Sequence, residues 1–546
     1  MKVIRYFLIL LGLLPIRALA QDVTYQRLLH SDSEPQNWLM YDGDYQSHRF
    51  SQLKQINKAN VAGLRAAWVY QITRTGYIEN APIVADGLMY VAEVPDTVVA
   101  LDPRTGAKIW SFTPALKEIN EVGAGFGPGQ TTRGVAILNG TVYLGTLDDH
   151  LYALDAKTGA VRWNATVIES DAWANAFAIT EAPMAIDGKI IVGAGGGEGP
   201  VRGFLDAYDA KTGKRLWRVY AVPKPGEPGS ETWAGKSAES GGSTMWNQGS
   251  YDPELNLLYF GTGNPAPDYN GSARAGDNLF SCSMLAIDAN TGIVKWYFQF
   301  SPHDTHDWDA VQVPILFEGT IDGKPRKLLA QANRNGFYYV LDRETGEFIT
   351  AKPFVKQTWA KGIDAKGRPI QMPNNEPTPE GNLIYPAVTG GSNWTSPSYD
   401  PDRKLFYVQA REMGSVFLAG DPEYDPTKPL RVQSAAGGGF NALSGDEAYG
   451  AIRALDVMTG ELKWEFRLRA PAWTGVLTTA GGLLFSQSDE GDFFALDSDT
   501  GKPLWHIALG GNNPRSNPVT YEVDGKQYVI VASGNLYMAF ALPDTR

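Results

Sequence analysis

The chain has 546 residues with 60 acidic and 48 basic side chains, and its formal net charge at pH 7 is −12. Such an acidic protein is a poor partner for nucleic acids and for anionic membrane surfaces, and it suits a basic partner protein. Its single cysteine, Cys282, excludes an internal disulfide, a CxxCH haem attachment site and a thiolate metal cluster. Any redox centre must therefore be bound non-covalently or be a metal held by oxygen ligands.

Residues 1–20 have the pattern of a secretory signal peptide. Lys2 and Arg5 precede an apolar run, and Ala-Leu-Ala stands before Gln21 as at a small-residue cleavage site. A membrane anchor is the alternative, but a proline and an arginine break the run, which is shorter than the roughly 20 apolar residues that a span needs. The sequence thus predicts export to the periplasm, no membrane span, and one mature domain of residues 21–546.

The phrase Ala-x-Asp-x-x-Thr-Gly-x-x-x-Trp recurs along the chain and marks a repeated structural unit. Each copy predicts a strand, a tight turn whose glycine takes a positive φ, and a second strand that delivers the tryptophan. We expect the indole ring to pack between neighbouring units and to donate its N–H to a backbone carbonyl. The full copies end at Trp110, Trp163, Trp217, Trp296, Trp464 and Trp505, and a degenerate copy spans Val340 to Thr350.

The spacing of the repeat aspartates distinguishes between repeat architectures. Successive aspartates lie 53, 54, 79, 54, 114 and 41 residues apart, and the segments between them alternate in short runs without the 3.6-residue period of helices. Units of about 40 to 50 residues with several short strands are typical of propeller blades. Seven marked units, with an eighth placed in the 114-residue interval, predict an all-β, eight-bladed β-propeller with tryptophan-docking repeats.

Hard oxygen donors gather in three segments between the repeats. Glu198 lies in the glycine-rich GAGGGEGPVRG, Asn264 follows a strand in GTGNPAPD, and Asp307 and Asp309 lie in SPHDTHDWDAVQ. Taken singly, each has a structural explanation as a glycine-rich turn, an Asn-Pro turn or a solvated acidic loop. A transition-metal site at the two histidines of the third segment is a weaker alternative, because no helix frames them. Together these oxygens suit calcium or another hard cation.

Motifs beyond the repeat resemble one enzyme family. They are NWLMYDGDYQSHRFSQL, TTRGVAI, GGSTMW, GTGNPAPD, SPHDTHDWDA, RNGFYYVLDRETG, GGSNWTSPSYDP and WTGVLTTAGGLLF. From about Asn37 to the C-terminus, these motifs and their order resemble the pyrroloquinoline quinone (PQQ)-dependent alcohol dehydrogenases, the periplasmic quinoproteins that include methanol and ethanol dehydrogenases. The resemblance implies oxidation of an alcohol to an aldehyde or ketone, with hydride transfer to metal-activated PQQ.

The resemblance assigns roles to individual residues. Glu198, Asn264 and Asp307 match the family's metal-binding side chains, and Asp307 matches the catalytic aspartate ahead of Asp304. Arg334 in RNG matches a catalytic and cofactor-binding cation beside the quinone carbonyls, where it would stabilise developing negative charge. The matches to further cofactor-binding residues are Trp246 under the flat quinone, Arg133 and Thr180, and with weaker similarity Glu79, Asn393 and Trp473.

Two features depart from the methanol and ethanol dehydrogenase pattern. Where those enzymes cover the second face of PQQ with a disulfide between adjacent cysteines, this chain has Gly127 and Pro128, so Phe126 or the GFGPGQ backbone is expected to replace it. Asp309, two residues beyond Asp307, resembles the additional metal-binding carboxylate of the lanthanide-dependent branch, since a trivalent ion gains from it. Some membrane glucose dehydrogenases with divalent metals share a similar spacing. Calcium and a lanthanide both stay open, as does a purely supporting or surface role for Asp309.

Three functions stay open at this point. The leading one is a periplasmic PQQ-dependent dehydrogenase that oxidises a primary or secondary alcohol, a polyol or a sugar-like alcohol and passes electrons to a separate cytochrome c. The second is a sugar or polyol dehydrogenase using the same site, which the missing disulfide slightly favours. The third is a non-catalytic propeller scaffold, against which the joint presence of the metal-binding, cationic and stacking residues argues.

The expected partners follow from the redox chemistry. Because the chain has no CxxCH motif, reoxidation of the cofactor is expected to need a separate c-type cytochrome, and one with a basic patch would suit the acidic surface. Neither nucleic acid nor a membrane is an expected partner, and a homodimer is compatible with the sequence.

Overall fold

Most of the described chain forms β-strands. The computed structural model describes residues 22–72, 78–116, 131–168, 177–199, 201–420, 436–443, 448–510 and 514–544. The predicted signal peptide and the positions expected to cover PQQ, at 126–128, lie outside these ranges. The helical elements within them are α1 (Tyr25–Leu29) and the 3₁₀ turns Ser31–Ser33, Val61–Gly63, Ser230–Thr232, Ser237–Ser240 and Gly271–Arg274. No helix in these ranges is long and apolar enough to cross a membrane.

The described residues form eight sheets of at least four strands, which we call blades 1 to 8. Two strands precede blade 1 in the chain, β1 (Phe50–Ser51) and β2 (Arg65–Gln71). Blade 1 consists of β3 (Ile83–Ala85), β4 (Leu88–Glu93), β5 (Thr97–Leu101) and β6 (Lys108–Phe112). Blade 2 consists of β7 (Ala136–Leu138), β8 (Thr141–Gly145), β9 (His150–Asp155) and β10 (Val161–Thr166). Blade 3 consists of β11 (Met184–Ile186), β12 (Lys189–Gly193), β13 (Phe204–Asp209) and β14 (Arg215–Tyr220).

The next two blades continue the same up-and-down order. Blade 4 consists of β15 (Ser250–Asp252), β16 (Leu257–Gly261), β17 (Ser283–Asp288) and β18 (Val294–Gln299). Blade 5 consists of β19 (Ile315–Ile321), β20 (Lys324–Ala332), β21 (Phe337–Asp342) and β22 (Phe348–Pro353). In blade 4 the first strand is buried whereas the fourth has exposed residues, and in blade 5 the third strand is buried whereas the fourth is not. The hydrophobic core therefore lies between the blades and around their inner strands.

The remaining strands contain an insertion and the closure of the ring. Three strands follow blade 5, β23 (Ala360–Ile363), β24 (Pro369–Gln371) and β25 (Asn382–Ile384). Blade 6 then contains β26 (Ser398–Asp400), β27 (Leu405–Glu412), β30 (Tyr449–Asp456) and β31 (Leu462–Leu468), with β28 (Ser415–Ala419) and β29 (Gly438–Ala442) inserted. Blade 7 contains β32 (Leu477–Thr479), β33 (Leu483–Gln487), β34 (Asp492–Asp497) and β35 (Pro503–Ala508). Blade 8 contains β36 (Val519–Val523), β37 (Lys526–Ser533) and β38 (Leu536–Ala541) together with β2.

Blade 8 unites the two ends of the described chain. Its outer strand β2 pairs antiparallel with β38, where Trp68 lies opposite Ala539. In addition, β1 pairs in parallel with β32 of blade 7. These pairings close the ring and give hydrogen-bond partners to strands that would otherwise be exposed edges. The eighth blade predicted within the 114-residue interval is therefore not there, and that placement was wrong.

The 114-residue interval carries an insertion instead of a blade. In its described part, β23 and β24 form a hairpin, and β25, β28 and β29 form a three-stranded sheet. The Tyr269 N–H donates to the Ala436 carbonyl at 3.0 Å, and the Tyr269 ring lies 6.3 Å from that of Phe440 on β29. The insertion thus packs over the loop that follows Asn264, which brings β29 to the predicted site.

Five of the six repeat tryptophans donate to a carbonyl of the neighbouring blade, as the sequence predicts, and Trp505 packs on the Phe540 ring of blade 8 with centroids 5.5 Å apart. Trp110 of blade 1 donates its indole N–H to the Ala156 carbonyl of blade 2 at 3.1 Å. Ala156 directly follows a repeat aspartate. Gly159 of the same turn has φ +73°, and an ideal Cβ on it would lie 2.5 Å from the Trp110 ring, so only glycine fits there. The same bond is made by Trp68 to Pro103, Trp163 to Ala210, Trp217 to Ala289, Trp296 to Arg343 and Trp464 to Ser498.

The degenerate repeat is compensated by a tyrosine. Blade 5 has Thr350 where other blades have the docking tryptophan, and Tyr338 donates its hydroxyl to the Val457 carbonyl of blade 6 at 2.8 Å. Elsewhere, as at Ser498, a tyrosine and a tryptophan both donate to the equivalent carbonyl. Among the described residues, Tyr338 is therefore the one side chain that donates to the Val457 carbonyl, whereas two side chains donate to the equivalent carbonyl at Ser498.

Candidate active site

The predicted site residues come from one end of the propeller. The first two strands of a blade are antiparallel, so the start of the first lies beside the end of the second. Arg133 and Trp246 precede the first strands of blades 2 and 4, whereas Glu198 and Arg334 follow the second strands of blades 3 and 5. This geometry explains how side chains far apart in sequence meet in one place.

This end of the propeller contains a cavity of about 240 Å³. Asn264 lies directly against its wall, because its backbone N–H donates to Asp309 Oδ1 at 2.6 Å. An ideal Cβ on Gly197, a lining residue, would lie 3.1 Å from Asn264 Oδ1. All the predicted site residues therefore lie in or against one cavity. Those that line it are Glu79, Arg133, Thr180, Glu198, Trp246, Asp307, Asp309, Arg334, Asn393 and Trp473.

Arg334 holds two of the acids. Its Nη2 lies 3.0 Å from Asp307 Oδ2, and its Nη1 lies 2.6 Å from Asp309 Oδ2. The guanidinium also donates to the Val388 carbonyl through Nε at 3.0 Å and Nη2 at 2.8 Å. A planar fork of this kind fixes both carboxylates relative to each other.

The three carboxylates that line the cavity lie close together, and one guanidinium group opposes their negative charge. Burial raises the pKa of Glu198 to about 7, and Asp309 adds to the rise. Burial also raises the pKa of Asp307 well above its usual range, with Asp309 and Glu198 adding to the rise against the opposing effect of Arg334. The pKa of Asp309 is raised by burial and lowered by Arg334, with a net rise. One guanidinium thus does not neutralise three carboxylates.

The segment SPHDTHDWDAVQ is buried, so the solvated acidic loop that it suggests in isolation is wrong. Asp304 Oδ2 accepts the Trp308 backbone N–H at 3.0 Å, whereas Asp307 lines the cavity. His306 stacks on Trp308 with ring centroids 4.3 Å apart, and its Nε2 lies 2.7 Å from the Asn375 carbonyl oxygen. His303 Nδ1 lies 2.7 Å from the Gly276 carbonyl oxygen, so both histidines contact the backbone. Within the described ranges no group of three or more His, Cys, Asp or Glu side chains forms a metal site by itself.

Arg133 and Trp246 form the opposite part of the cavity. The Arg133 guanidinium lies 4.7 Å from the Trp246 ring centroid, and its Nη1 donates to Thr180 Oγ1 at 2.9 Å. Glu79 binds Arg133 at 2.8 Å and Arg515 at 3.0 Å. Trp246 donates its indole N–H to Asp309 Oδ2 at 3.1 Å, which links this aromatic surface to the acids.

The other two predicted cofactor contacts line the same cavity. Asn393 is held by its own loop, with Nδ2 donating to the Thr389 carbonyl at 2.9 Å. Trp473 has the Arg411 guanidinium 3.9 Å from its ring centroid. An indole, an amide and several guanidinium groups therefore surround the space beside Trp246, a composition suited to a flat ligand with carboxylates.

Two residues of the site were missed in the sequence. Asp268 accepts a hydrogen bond from Asn264 Nδ2 at 2.7 Å, and it lies at the end of the GTGNPAPD motif that already pointed to Asn264. Arg515 lines the cavity beside Glu79. Its segment carries no motif, and only the closure of blade 8 brings it to the site.

Comparison with known proteins identifies the family. The model described as "PQQ: Glucose/ethanol/alcohol dehydrogenase, beta-propeller domain" matches residues 38–358 and 467–529. These ranges are more than half of the chain. This protein is a member of the PQQ-dependent alcohol dehydrogenase family. The fold class and the enzyme class predicted from the sequence are thereby confirmed.

Individual members of the family are similar over nearly the whole chain. Quinohemoprotein alcohol dehydrogenase ADH-IIG of Pseudomonas putida is 39% identical over 96% of this chain and 77% of its own. Lanthanide-dependent methanol dehydrogenase of Methylacidiphilum fumariolicum (strain SolV) is 36% identical over 93% of this chain and 86% of its own. A solved structure titled "Europium-containing methanol dehydrogenase" is 33% identical, covers 95% of this chain and 100% of its own, and has a TM-score of 0.87.

The cavity of this PQQ-dependent alcohol dehydrogenase fits the family's two cofactors, PQQ and one metal ion. A cation would supply the positive charge that Glu198, Asp307 and Asp309 lack, and their raised pKa values report that lack. Since the described carboxylates form no complete metal site by themselves, an ion here needs further oxygens such as those of Asn264 and of the quinone. Arg133 beside Trp246 fits a flat polycarboxylate. The prediction of PQQ with one metal ion is thus confirmed.

Proposed function

We propose that this protein is an exported dehydrogenase that oxidises alcohols with an apolar substituent, using PQQ and a lanthanide ion. In this proposal residues 1–20 are removed on export to the periplasm, residues 21–546 form one propeller domain, and a separate c-type cytochrome takes the electrons. The single observation that carries the proposal is the convergence of Glu198, Asp307, Asp309 and Arg334 on one cavity beside Trp246.

The metal ligands in this proposal are Glu198, Asn264, Asp307 and Asp309. Glu198 and Asp307 line the cavity with raised pKa values, so a cation there stabilises their ionised forms. Asp309 is oriented by three donors, the Asn264 backbone N–H, the Trp246 indole and Arg334. Three carboxylates attract a trivalent ion more strongly than a divalent one, because the Coulomb attraction grows with the charge of the ion. The name of one relative, lanthanide-dependent methanol dehydrogenase, supports the same choice.

PQQ and a metal ion, when bound, would supply a polarised acceptor for the hydride of the substrate carbon. Asp307 takes the proton of the substrate hydroxyl, since it lines the cavity and is buried away from water. Arg334 orients Asp307 through its 3.0 Å contact and places a fixed positive charge where negative charge develops. Trp246 offers a flat aromatic surface, and Arg133 offers a partner for a carboxylate.

The wall beside Arg334 argues for an alcohol with an apolar substituent rather than a sugar. The Val388 carbonyl binds Arg334, which puts Val388 next to the reacting groups. Phe440 of the insertion also lines the cavity and is 39% exposed. A sugar or polyol would leave several hydroxyl groups against these apolar side chains, which costs free energy for each unpaired group.

Reconstitution of the purified protein tests the proposal. The protein is loaded with PQQ and with La³⁺ or Ca²⁺, and cofactor stoichiometry is measured by absorbance and metal analysis. Dye-linked oxidation is then compared across alcohols, polyols and sugars. We expect activity with PQQ and La³⁺ on alcohols such as 1-butanol. Absence of PQQ binding would support the scaffold alternative, and faster turnover of sugars than of alcohols would support the second enzyme class.

A further inference from the structure

Asp268 lies fully buried behind the proposed metal site and touches one of its ligands. Its Oδ1 accepts a hydrogen bond from Asn264 Nδ2 at 2.7 Å, and the residue is 0% exposed. Asp268 is absent from the lining of the cavity. It therefore reaches the site through Asn264.

The orientation of the Asn264 amide decides whether this residue attracts or repels a cation. A carboxamide has an oxygen that accepts and a nitrogen that donates, and the two are nearly equal in size. Because Asp268 Oδ1 accepts from Asn264 Nδ2, this hydrogen bond holds the nitrogen side of the amide toward Asp268. The oxygen then points the other way, where an ideal Cβ on Gly197 would lie 3.1 Å from it. Gly197 immediately precedes Glu198, so the amide oxygen faces the loop that carries another proposed ligand.

The loop around Asp268 is itself fixed in place. Arg274 donates to the Asp268 carbonyl through Nη2 at 3.0 Å and to the Pro267 carbonyl through Nε at 3.0 Å. The second carboxylate oxygen of Asp268, Oδ2, is buried and makes no hydrogen bond with the described residues. A buried carboxylate with one idle oxygen is costly to the fold, and a role in the site gives a reason for it.

We propose that Asp268 is a positioning residue that holds the Asn264 amide with its oxygen toward the metal ion. This inference rests on the proposed function, because it requires a metal ion at Glu198, Asn264, Asp307 and Asp309. It adds a residue that no motif match assigned, and it predicts a defect in metal coordination rather than in proton transfer.

Luminescence of Eu³⁺ in the PQQ-loaded protein tests this positioning role. Decay rates in H₂O and D₂O count the water molecules bound to the ion, and titration gives its affinity. Asp268→Leu removes the acceptor and keeps a side chain branched at Cγ, so Asn264 loses its hydrogen-bond partner. We expect about 10- to 100-fold weaker Eu³⁺ binding and one additional bound water. Asp268→Asn keeps an acceptor and is expected to keep the wild-type water number.

Exchanging the amide and the carboxylate between positions 264 and 268 should restore metal coordination. In the double variant Asn264→Asp, Asp268→Asn, the amide at position 268 donates to the carboxylate at position 264, whose other oxygen faces the ion. The total charge is unchanged, and we expect the wild-type water number. Asp304→Asn is the matched control, since Asp304 is also buried nearby but is bonded to Trp308, and it should bind Eu³⁺ as the wild type does.

The outcomes separate this inference from the proposed function. A wild-type water number in Asp268→Leu, or an additional water that the swap does not remove, overturns the positioning role. A wild-type protein that binds PQQ but no Eu³⁺ overturns the proposed metal site itself. Thermal unfolding of each metal-free variant shows whether a lost signal reflects loss of the fold.

Discussion

Arg334 and Asp307 form a buried ion pair, with Nη2 and Oδ2 3.0 Å apart. Both side chains line the same cavity, and Arg334 also holds Asp309 at 2.6 Å. In the proposed function, this pair gives a bound alcohol both a proton acceptor and a fixed positive charge. Asp307 differs in this from Asp304, which is bonded to the backbone of its own loop.

Replacement of Asp307 by Asn should abolish proton removal from the substrate. We expect kcat to fall by about 10²- to 10⁴-fold, while bound PQQ stays detectable by its absorbance. Asp304→Asn is the control and should lose much less activity. Equal losses in the two variants would assign the role of proton acceptor to neither aspartate.

Replacement of Phe440 by Ser should shift substrate preference toward polar alcohols. The apolar wall loses contact with a butyl or aryl group, and we expect the ratio of kcat/KM for 1-butanol to that for glycerol to fall about 10-fold or more. Phe440→Leu keeps an apolar side chain and should retain most of the ratio. An unchanged ratio in the serine variant would remove Phe440 from the substrate wall.

Loss of the Tyr338 hydroxyl should weaken the contact between blades 5 and 6. In Tyr338→Phe the Val457 carbonyl loses its side-chain donor, at a cost of about 1–3 kcal/mol in the free energy of unfolding. In the matched variant Tyr407→Phe, Trp464 still donates to the Ser498 carbonyl, so we expect a smaller loss. Urea unfolding measures both, and a larger loss in the second variant would contradict the compensating role of Tyr338.

Asp149 should make stability fall as pH rises. Burial raises the pKa of Asp149 to about 8, with Asp148 adding to the rise. The folded protein thus holds this proton more tightly than the unfolded chain, whose aspartates titrate near 3.9. Its contribution to stability is greatest below about pH 4 and is lost progressively up to about pH 8.

Asp149→Asn removes this dependence. Asp149 has φ +64°, a conformation that asparagine tolerates, so the variant should unfold at a higher temperature than the wild type at pH 8. The gain should shrink at pH 4. Asp322→Asn is the control, because Asp322 has φ +49° and is exposed. A gain at pH 8 as large in the control would show that the effect is not due to burial of the charge.

The repeat made the blades predictable, but not the closure of the ring. Each Asp-x-x-Thr-Gly turn and its tryptophan are local features, so they were visible in sequence. Trp68 docks blade 8 on blade 1 in the same way, but no repeat motif precedes it, because its strand pairs with the C-terminal end of the chain. The spacing of the repeat therefore placed the eighth blade in the wrong interval.

The residues of the candidate site were also only partly predictable from the sequence. Motif resemblance pointed to Glu198, Asn264 and Asp307, which the structure brings to one cavity. Asp268 and Arg515 were not predicted, since their contribution depends on contacts with Asn264 and Glu79 across loops. Sequence also could not show that the acidic loop is buried, because burial is set by the insertion and neighbouring blades.

Anaerobic mixing with an alcohol tests the central claim most directly. The protein is loaded with PQQ and one equivalent of La³⁺, and the absorbance of bound PQQ is followed after addition of 1-butanol or its α-deuterated form. The account predicts full reduction of the bound quinone, slower with the deuterated alcohol, and little reduction in Asp307→Asn. An unchanged PQQ spectrum in the fully loaded wild-type protein would contradict it.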